Sequence, residues 1–141
     1  MNPAKQQLHK LMVYNQIINA RLEKRDKLME AATRTTAMMK DDGASFGGGY
    51  GDRIGGKMAE IADLDKTIDF YIDVRYNLLW DTLSIIGQMH QRKHQDVLYK
   101  RYVEGKPFKL IQQEMGYKSY KGLKKLHERA VYIFGKIAGY Y

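Results

Sequence analysis

The sequence predicts an all-α protein, with two long helices first and several shorter helices after them. Three observations support this prediction. Apolar residues recur at every third or fourth position through long stretches of the 141-residue chain. Only two prolines are present, so few positions forbid helical backbone. No segment alternates β-branched or aromatic residues with polar ones over the length of a strand.

The first predicted helix covers about residues 5–39. Its apolar side chains are spaced for one face, at Leu8, Leu11, Met12, Ile18, Leu22, Met29, Ala32 and Met39. Residues 41–56 follow with seven glycines and no periodicity, which predicts a flexible loop. A second helix begins near Lys57 with the stronger stripe, at Met58, Ile61, Leu64, Ile68, Tyr71, Ile72, Arg75, Leu79, Leu83 and Ile86. The two segments predict an antiparallel helical hairpin or, as an alternative, the coiled-coil arms of a dimer.

Part of the glycine-rich segment resembles a phosphate-binding loop, because Gly51 to Lys57 reads G-x-x-x-x-G-K. That loop needs a serine or threonine after the lysine to hold Mg²⁺, and Met58 stands there instead. It also needs a buried strand before it, and residues 36–48 contain no such run. The sequence therefore predicts a plain connection between helices and no nucleotide cofactor.

Shorter helices are predicted after Met89. The first ends near Gly105, a residue typical of a helix C-terminus. A second begins at Pro107, which suits a first helical turn, and stops at Gly116. Ser119 is the expected N-cap of the last helix. The side chains predicted to point inward are Val97, Leu98, Tyr102, Phe108, Ile111, Met115, Leu123, Leu126, Ala130, Ile133, Phe134 and Ile137.

The net charge of +8 is concentrated in the last third of the chain. Residues 1–89 contain 12 basic and 12 acidic residues, whereas residues 90–141 contain 12 basic and 4 acidic ones. An excess confined to one segment is typical of a surface that meets phosphate. A short helix, a glycine-containing turn and a longer basic helix predict a helix-turn-helix. The predicted domains are a long-helix region at 1–89 and a helix-turn-helix domain at 90–141.

The segment VLYKRYVEGKPFKLIQQEMGYKSYKGLKKLHERAV resembles region 4 of bacterial sigma factors, over about residues 95–135. The likeness rests on RYVEG at Arg101–Gly105, on Ile111 with Met115 and Gly116, and on Arg129 with Ala130. From the glycine-rich segment onward, the chain is similar to small sigma-region-4-like proteins of phages and prophages in Gram-positive bacteria. Gln112 departs from the sigma pattern, which has a small residue there, and the following turn is one residue longer. The resemblance implies a DNA-binding regulator of phage late genes.

The recognition helix of a helix-turn-helix enters the major groove with its N-terminal residues first. Those residues are Ser119, Tyr120, Lys121, Lys124 and Lys125. Lysines can neutralise phosphate or donate to guanine, and the two hydroxyl groups can bond to phosphate or base edges. Contacts that position the DNA backbone are predicted for Arg101, Lys106 and Lys109. The alternative is a solvated helix face, which is the common role of a run of like charges.

No catalytic or metal-binding constellation is predicted. The chain contains no cysteine, which excludes disulfides and thiolate zinc sites. His90 and His94 stand four residues apart but lack the HExxH context and an evident third ligand. His127 is expected to be a polar packing residue, because no serine or cysteine partner suggests a catalytic base. The sequence thus predicts a protein that is not an enzyme and binds no cofactor or metal.

The expected partner is double-stranded DNA, and the resemblance implies host RNA polymerase as a further partner. A homodimer is an alternative way to bury the long apolar stripe. The main alternative function is a protein-interaction module that contacts polymerase or a phage component without binding DNA. No stretch approaches the ~18 apolar residues of a membrane span, and the N-terminus lacks a signal-peptide pattern. A cytoplasmic protein of a bacterial host, associated with the nucleoid, is therefore expected.

Overall fold

A computed structural model describes residues 2–42 and 48–141. Its helices are α1 (Pro3–Asp42), α2 (Gly48–Gly87), α3 (Arg92–Leu98), α4 (Phe108–Met115) and α5 (Tyr120–Ala138). A short π-helical segment, the π-turn (Tyr99–Val103), continues directly from α3. The two described ranges contain no strand, which confirms the predicted all-α class.

The predicted loop at residues 41–56 is wrong over most of its length. α1 continues through Asp42 and α2 already begins at Gly48, while residues 43–47 lie outside the described ranges. Glycine weakens a helix by only about 1 kcal/mol per residue relative to alanine. Each residue added to an existing helix also gains a backbone hydrogen bond, so α2 can extend backward through its glycines. Gly51 to Lys57, the segment that resembles a phosphate-binding loop, is therefore helical.

The chain forms two compact units. The core unit contains Met1–Asn15 and Val74–Tyr141, and the hairpin unit contains Gln16–Asp73. The start of α1 belongs to the core unit because it packs in one hydrophobic cluster with the C-terminal helices. These units differ from the predicted domains 1–89 and 90–141, which followed the charge distribution rather than packing. That functional division stays a prediction.

The two long helices run antiparallel within the hairpin unit. Arg25 of α1 forms an ion pair with Asp65 of α2, and Nζ of Lys57 donates to Oγ1 of Thr35 at 3.3 Å. Residues later in α1 thus contact residues earlier in α2. This is the course of a hairpin, and the coiled-coil arms of a dimer stay a prediction.

In the hairpin unit, fewer apolar residues are buried than the apolar spacing of the two long helices predicts. Ile18, Ile61 and Ile68 are buried, whereas Met58 and Ile72 keep 49% and 45% of their surface exposed. Two helices touch along a narrow seam, so only part of a wide apolar face can be covered. The flanking apolar positions therefore remain on the surface.

The core unit is built around the inner face of α5. Its hydrophobic cluster contains Ala4, Leu8, Met12, Ile86, Met89, Val97, Leu98, Tyr102, Ile111, Leu123, Leu126, Ala130, Val131 and Phe134. Burial of one large apolar side chain contributes about 1.5–3 kcal/mol, so this cluster provides the main stabilisation of the unit. Since its members come from all five helices and the π-turn, it fixes the orientation of α5 and leaves the opposite face in solvent.

Two predicted helix ends are confirmed by the backbone of their glycines. Gly105 and Gly116 have φ of +71° and +72°, in the left-handed region that other residues avoid. The π-turn before Gly105 was not predicted. The N–H of Glu104 donates to the carbonyl oxygen of Tyr99 at 3.0 Å, which is the hydrogen-bond spacing of a π-helix. Within this wider turn Tyr102 is buried.

Candidate nucleic-acid interface

The turn between α4 and α5 is held by backbone and side-chain hydrogen bonds. Gly116 N–H donates to the carbonyl oxygen of Gln113 at 3.3 Å, and Tyr117 N–H donates to that of Gln112 at 3.0 Å. This pair of bonds is a Schellman motif. The side chain of Gln112 adds a bond from Nε2 to the carbonyl oxygen of Tyr117 at 3.2 Å. The residue that departs from the sigma pattern thus stabilises the turn that leads into α5.

Ser119 is the N-cap of α5, as predicted. Its backbone is extended, and its Oγ accepts a hydrogen bond from the N–H of Gly122 at 3.0 Å. Such a cap stabilises a helix by about 1 kcal/mol. The hydroxyl hydrogen of Ser119 is not used by the cap, so the residue keeps one donor for another group. Its predicted contact with DNA stays a prediction.

Three of the eight predicted DNA-contact residues meet at the ring of Phe108. The guanidinium carbon of Arg101 lies 4.3 Å from the ring centroid, and Nζ of Lys124 lies 4.2 Å from it. The Tyr120 ring packs edge to face against Phe108, with centroids 6.3 Å apart. Arg101 also donates from Nη1 to the carbonyl oxygen of Lys106 at 3.1 Å. An aromatic ring therefore orders two cations that the sequence places 23 positions apart.

Lys106 lies in an ion-pair cluster with two carboxylates. Its Nζ is 2.8 Å from Oε2 of Glu104 and 2.9 Å from Oε1 of Glu114, and Nζ of Lys100 is 2.7 Å from the same Glu114 oxygen. The hydrogen bonds that Lys106 donates to Glu104 and Glu114 raise its pKa, and the bonds that Glu114 accepts from Lys100 and Lys106 lower the pKa of Glu114. The charge of Lys106 is thus compensated within the protein. The contact with the DNA backbone that the sequence predicts for Lys106 stays a prediction.

The remaining predicted lysines are exposed and carry uncompensated charge. Lys109, Lys121 and Lys125 make no ion pair with any residue in the described ranges. Arg129 is also exposed, and its guanidinium lies 5.6 Å from the Tyr132 ring centroid. Residues four apart share one face of a helix. Lys121, Lys125 and Arg129 therefore form a cationic row on the outer face of α5.

Sequence reasoning missed two members of this basic surface. Arg129 is not among the predicted DNA contacts, yet its side chain is exposed. Lys118 lies in the turn before the N-cap and is exposed as well. The four-residue spacing from Lys121 through Lys125 is the signal that could have assigned Arg129 to the outer face.

His127 is a buried packing residue, as predicted. Its Nε2 lies 2.7 Å from the hydroxyl oxygen of Tyr102, and its ring packs edge to face with Phe108 at 5.0 Å. Burial, followed by the charges of Lys124, Lys5 and Arg101, lowers the pKa of His127 to about 4. Burial raises the pKa of Tyr102 to about 12. Near neutral pH the pair is therefore an uncharged imidazole hydrogen-bonded to an uncharged phenol.

His90 and His94 occupy different environments, since His90 is exposed and His94 is buried. Within residues 2–42 and 48–141, no group of three or more histidine, aspartate or glutamate side chains is arranged to hold a metal ion. Among the helices of the same ranges, none combines the length and the apolar content needed to cross a bilayer.

Comparison of the chain with protein-family models, with curated proteins and with solved structures finds no match. The function must therefore be inferred from the residues of this chain, above all from the cationic row and the turn that presents it.

Proposed function

We propose that this protein is a sequence-specific DNA-binding transcriptional regulator, in which α4 and α5 act as a helix-turn-helix and α5 reads the major groove. The cationic row Lys121, Lys125 and Arg129 carries the proposal, because its charges are exposed and have no acidic partner in the described ranges. The resemblance to phage and prophage regulators with a sigma-region-4-like segment supports a role at late genes. Such a protein would act on the nucleoid in the cytoplasm of a bacterial host.

The beginning of α5 suits contact with a phosphate-lined groove. The first turn of a helix presents unpaired backbone N–H groups and a positive dipole end, both of which favour anions. Ser119 and Tyr120 stand at this end, and Lys121 and Lys125 project from the first two turns. In the proposed complex the lysines contact phosphates or guanine edges, while the hydroxyl groups contact phosphate or base edges.

Backbone contacts would come from beside α5. Lys109 on α4 and Lys118 in the turn before α5 are exposed. In the proposed complex they contact phosphates next to the groove. Arg101 and Lys124 would act from the positions set by Phe108. Lys106 has the weakest basis among the predicted contacts, because Glu104 and Glu114 already compensate its charge.

A protein partner is the second candidate, and an exposed aromatic pair on α2 favours it. Tyr76 and Trp80 each keep 57% of their surface exposed, with ring centroids 6.0 Å apart. Aromatic residues are enriched in protein interfaces. RNA polymerase, a phage component or a second copy of this chain are candidate partners, and DNA binding by α5 does not require any of them. Sedimentation of the Trp80→Gln variant beside the unaltered chain tests the second copy, which is excluded if both are monomers at high concentration.

The salt dependence of duplex binding tests the proposed function. Fluorescence anisotropy with random-sequence duplexes between 50 and 200 mM salt should show steep weakening, since each neutralised phosphate contributes about −0.9 to the log–log slope. Selection from a random pool should then enrich one motif, which provides the operator. Binding that does not change with salt, or a pool that stays random, would contradict the proposal.

A further inference from the structure

A small cavity of about 210 Å³ lies in the core unit, on the side of α5 that faces α1. α1, the π-turn, α4 and α5 all contribute to its wall. The residues on which its chemistry depends are Lys5, Met12, Arg101, Phe108, Lys124 and His127. All of them belong to the compact unit described above, so their mutual arrangement is set by the same hydrophobic cluster that fixes α5.

The wall of this cavity carries three cations and no carboxylate. Lys5, Arg101 and Lys124 line it, and none of them forms an ion pair within the described part of the chain. All three line the same cavity, and Arg101 and Lys124 lie 4.3 and 4.2 Å from the centroid of the same Phe108 ring. Like charges gathered in this way repel one another, and an anion among them would relieve that repulsion.

The cavity wall also includes an imidazole with unused hydrogen-bonding capacity. His127 is 1% exposed, and its Nε2 is engaged by the hydroxyl group of Tyr102. Its Nδ1 is buried and has no hydrogen-bond partner. A neutral imidazole has one N–H donor and one acceptor nitrogen, so in either tautomer Nδ1 is a buried polar atom without a partner. An unsatisfied buried polar group is costly, and protein interiors rarely keep one without a reason.

One part of the wall is apolar. The Phe108 ring, with Arg101 and Lys124 packed against it, and the buried side chain of Met12 form this part. The volume is below the ~300–1,000 Å³ typical of pockets for drug-sized ligands, so the occupant must be small. Cations beside an aromatic surface match a molecule that carries an anionic group at one end and a ring or short apolar group at the other.

We propose that this cavity binds a small organic phosphate, with a phosphate monoester among Lys5, Arg101 and Lys124 and an apolar or aromatic group against Phe108 and Met12. A phosphate monoester carries nearly two negative charges near neutral pH and three acceptor oxygens, which suit three cations better than a single carboxylate does. Binding at this site does not require that α5 contact DNA. Arg101 and Lys124 are shared with the proposed DNA contacts, whereas Lys5 is not, so substitution of Lys5 tests the cavity separately.

Phenyl phosphate is a suitable probe, and isothermal titration of the full chain measures its binding. Inorganic phosphate lacks the apolar part and benzyl alcohol lacks the charge, so both should bind at least about tenfold more weakly. Lys5→Gln should weaken phenyl phosphate binding by about tenfold, because it removes one of three charges while glutamine preserves the helix. Lys10→Gln is the matched control: Lys10 lies on the same helix, is exposed and does not line this cavity, so binding should not change.

Location is tested by NMR in the same titration. The ring signals of His127 and Phe108 should shift on addition of phenyl phosphate, with a midpoint equal to the calorimetric Kd. If phenyl phosphate does not bind at 10 mM, its binding free energy is weaker than about 3 kcal/mol. That result would overturn the proposal. Equal weakening by Lys5→Gln and Lys10→Gln would also overturn it. Such a result would show that phenyl phosphate responds to the net positive charge of the protein and not to this cavity. Duplex binding measured on the Lys5→Gln variant reports separately on α5.

Discussion

The hydroxyl oxygen of Tyr102 and Nε2 of His127 lie 2.7 Å apart in the core of the protein, and they join the π-turn to α5. Both side chains are nearly inaccessible to water, with 4% and 1% of their surfaces exposed. Burial favours the neutral form of the imidazole, because a charged ring would lose its hydration at this position. Stability of the core unit is therefore linked to the protonation of one histidine.

Acid should destabilise the protein through His127. Its pKa falls from the ordinary 6.5 to about 4 on folding, so between these values the unfolded chain binds a proton that the folded protein excludes. The contribution to stability is complete above pH 6.5 and is lost as the pH falls toward 4, with a total on the order of 3 kcal/mol. Urea denaturation at several pH values across this window measures the loss.

His127→Gln is the control for this effect, since glutamine can accept from Tyr102 and does not titrate. The slope of unfolding free energy against pH should become shallower in this variant. Part of the slope should remain, because burial, with Lys93 and Arg129, also lowers the pKa of His94. Identical slopes in the two proteins would show that folding does not lower the pKa of His127.

Replacement of Lys121 and Lys125 together with alanine should weaken binding to duplex DNA. The loss should be ten- to a hundredfold if each lysine contributes about 1 kcal/mol at moderate salt, and the salt slope should become shallower by about 1.8. Alanine is the best helix former, so α5 should remain folded by circular dichroism. Lys136→Ala is the matched control, because Lys136 is exposed near the other end of α5 and should matter little. Equal small effects would favour a protein partner instead.

Lys106 and Lys109 should behave differently, although they lie three residues apart. Lys106→Gln should change DNA affinity less than about threefold, because its charge is compensated by Glu104 and Glu114. It should lower the melting temperature, since the two carboxylates would lose their shared cation. Lys109→Gln should weaken DNA binding and leave the melting temperature unchanged, because Lys109 is exposed and unpaired within the described ranges. If Lys106→Gln weakens DNA binding and Lys109→Gln does not, the ion pairs of Lys106 must break so that it can contact phosphate.

Two glycine substitutions should change stability in opposite directions. Gly116→Ala forces alanine into a left-handed backbone with φ of +72° and should cost about 1–2 kcal/mol. Gly55→Ala lies within α2 with no atom within 4 Å of the added methyl group, and should add up to about 1 kcal/mol of helix stability. Thermal melts followed by circular dichroism compare the two. If Gly55→Ala has no effect on helix content, residues near it form a loop after all.

Much of the fold could be predicted because its signals are local. Gly105 and Gly116 end helices through their own backbone freedom, and Ser119 begins one through a bond to a residue three positions away. The inner face of α5 follows from the helical spacing of Leu123, Leu126 and their apolar neighbours. Such features depend only on residues within one or two turns of each other, so they can be predicted from the sequence. The sequence by itself thus determined the all-α class, these helix ends and the exposed side of the last helix.

Tertiary structure decided the features that join residues distant along the chain. It brought Glu114 to Lys106 and so compensated the charge of one predicted DNA contact, and it placed Arg101 and Lys124 on one phenyl ring. It also packed the beginning of α1, through Ala4, Leu8 and Met12, with the C-terminal helices and left part of the apolar stripe of α2 in solvent. Hydrophobic periodicity indicates which face is buried but not which partner buries it, and counted charge does not reveal which charges are compensated. Both depend on three-dimensional packing, which is decided by the best burial available to the whole chain.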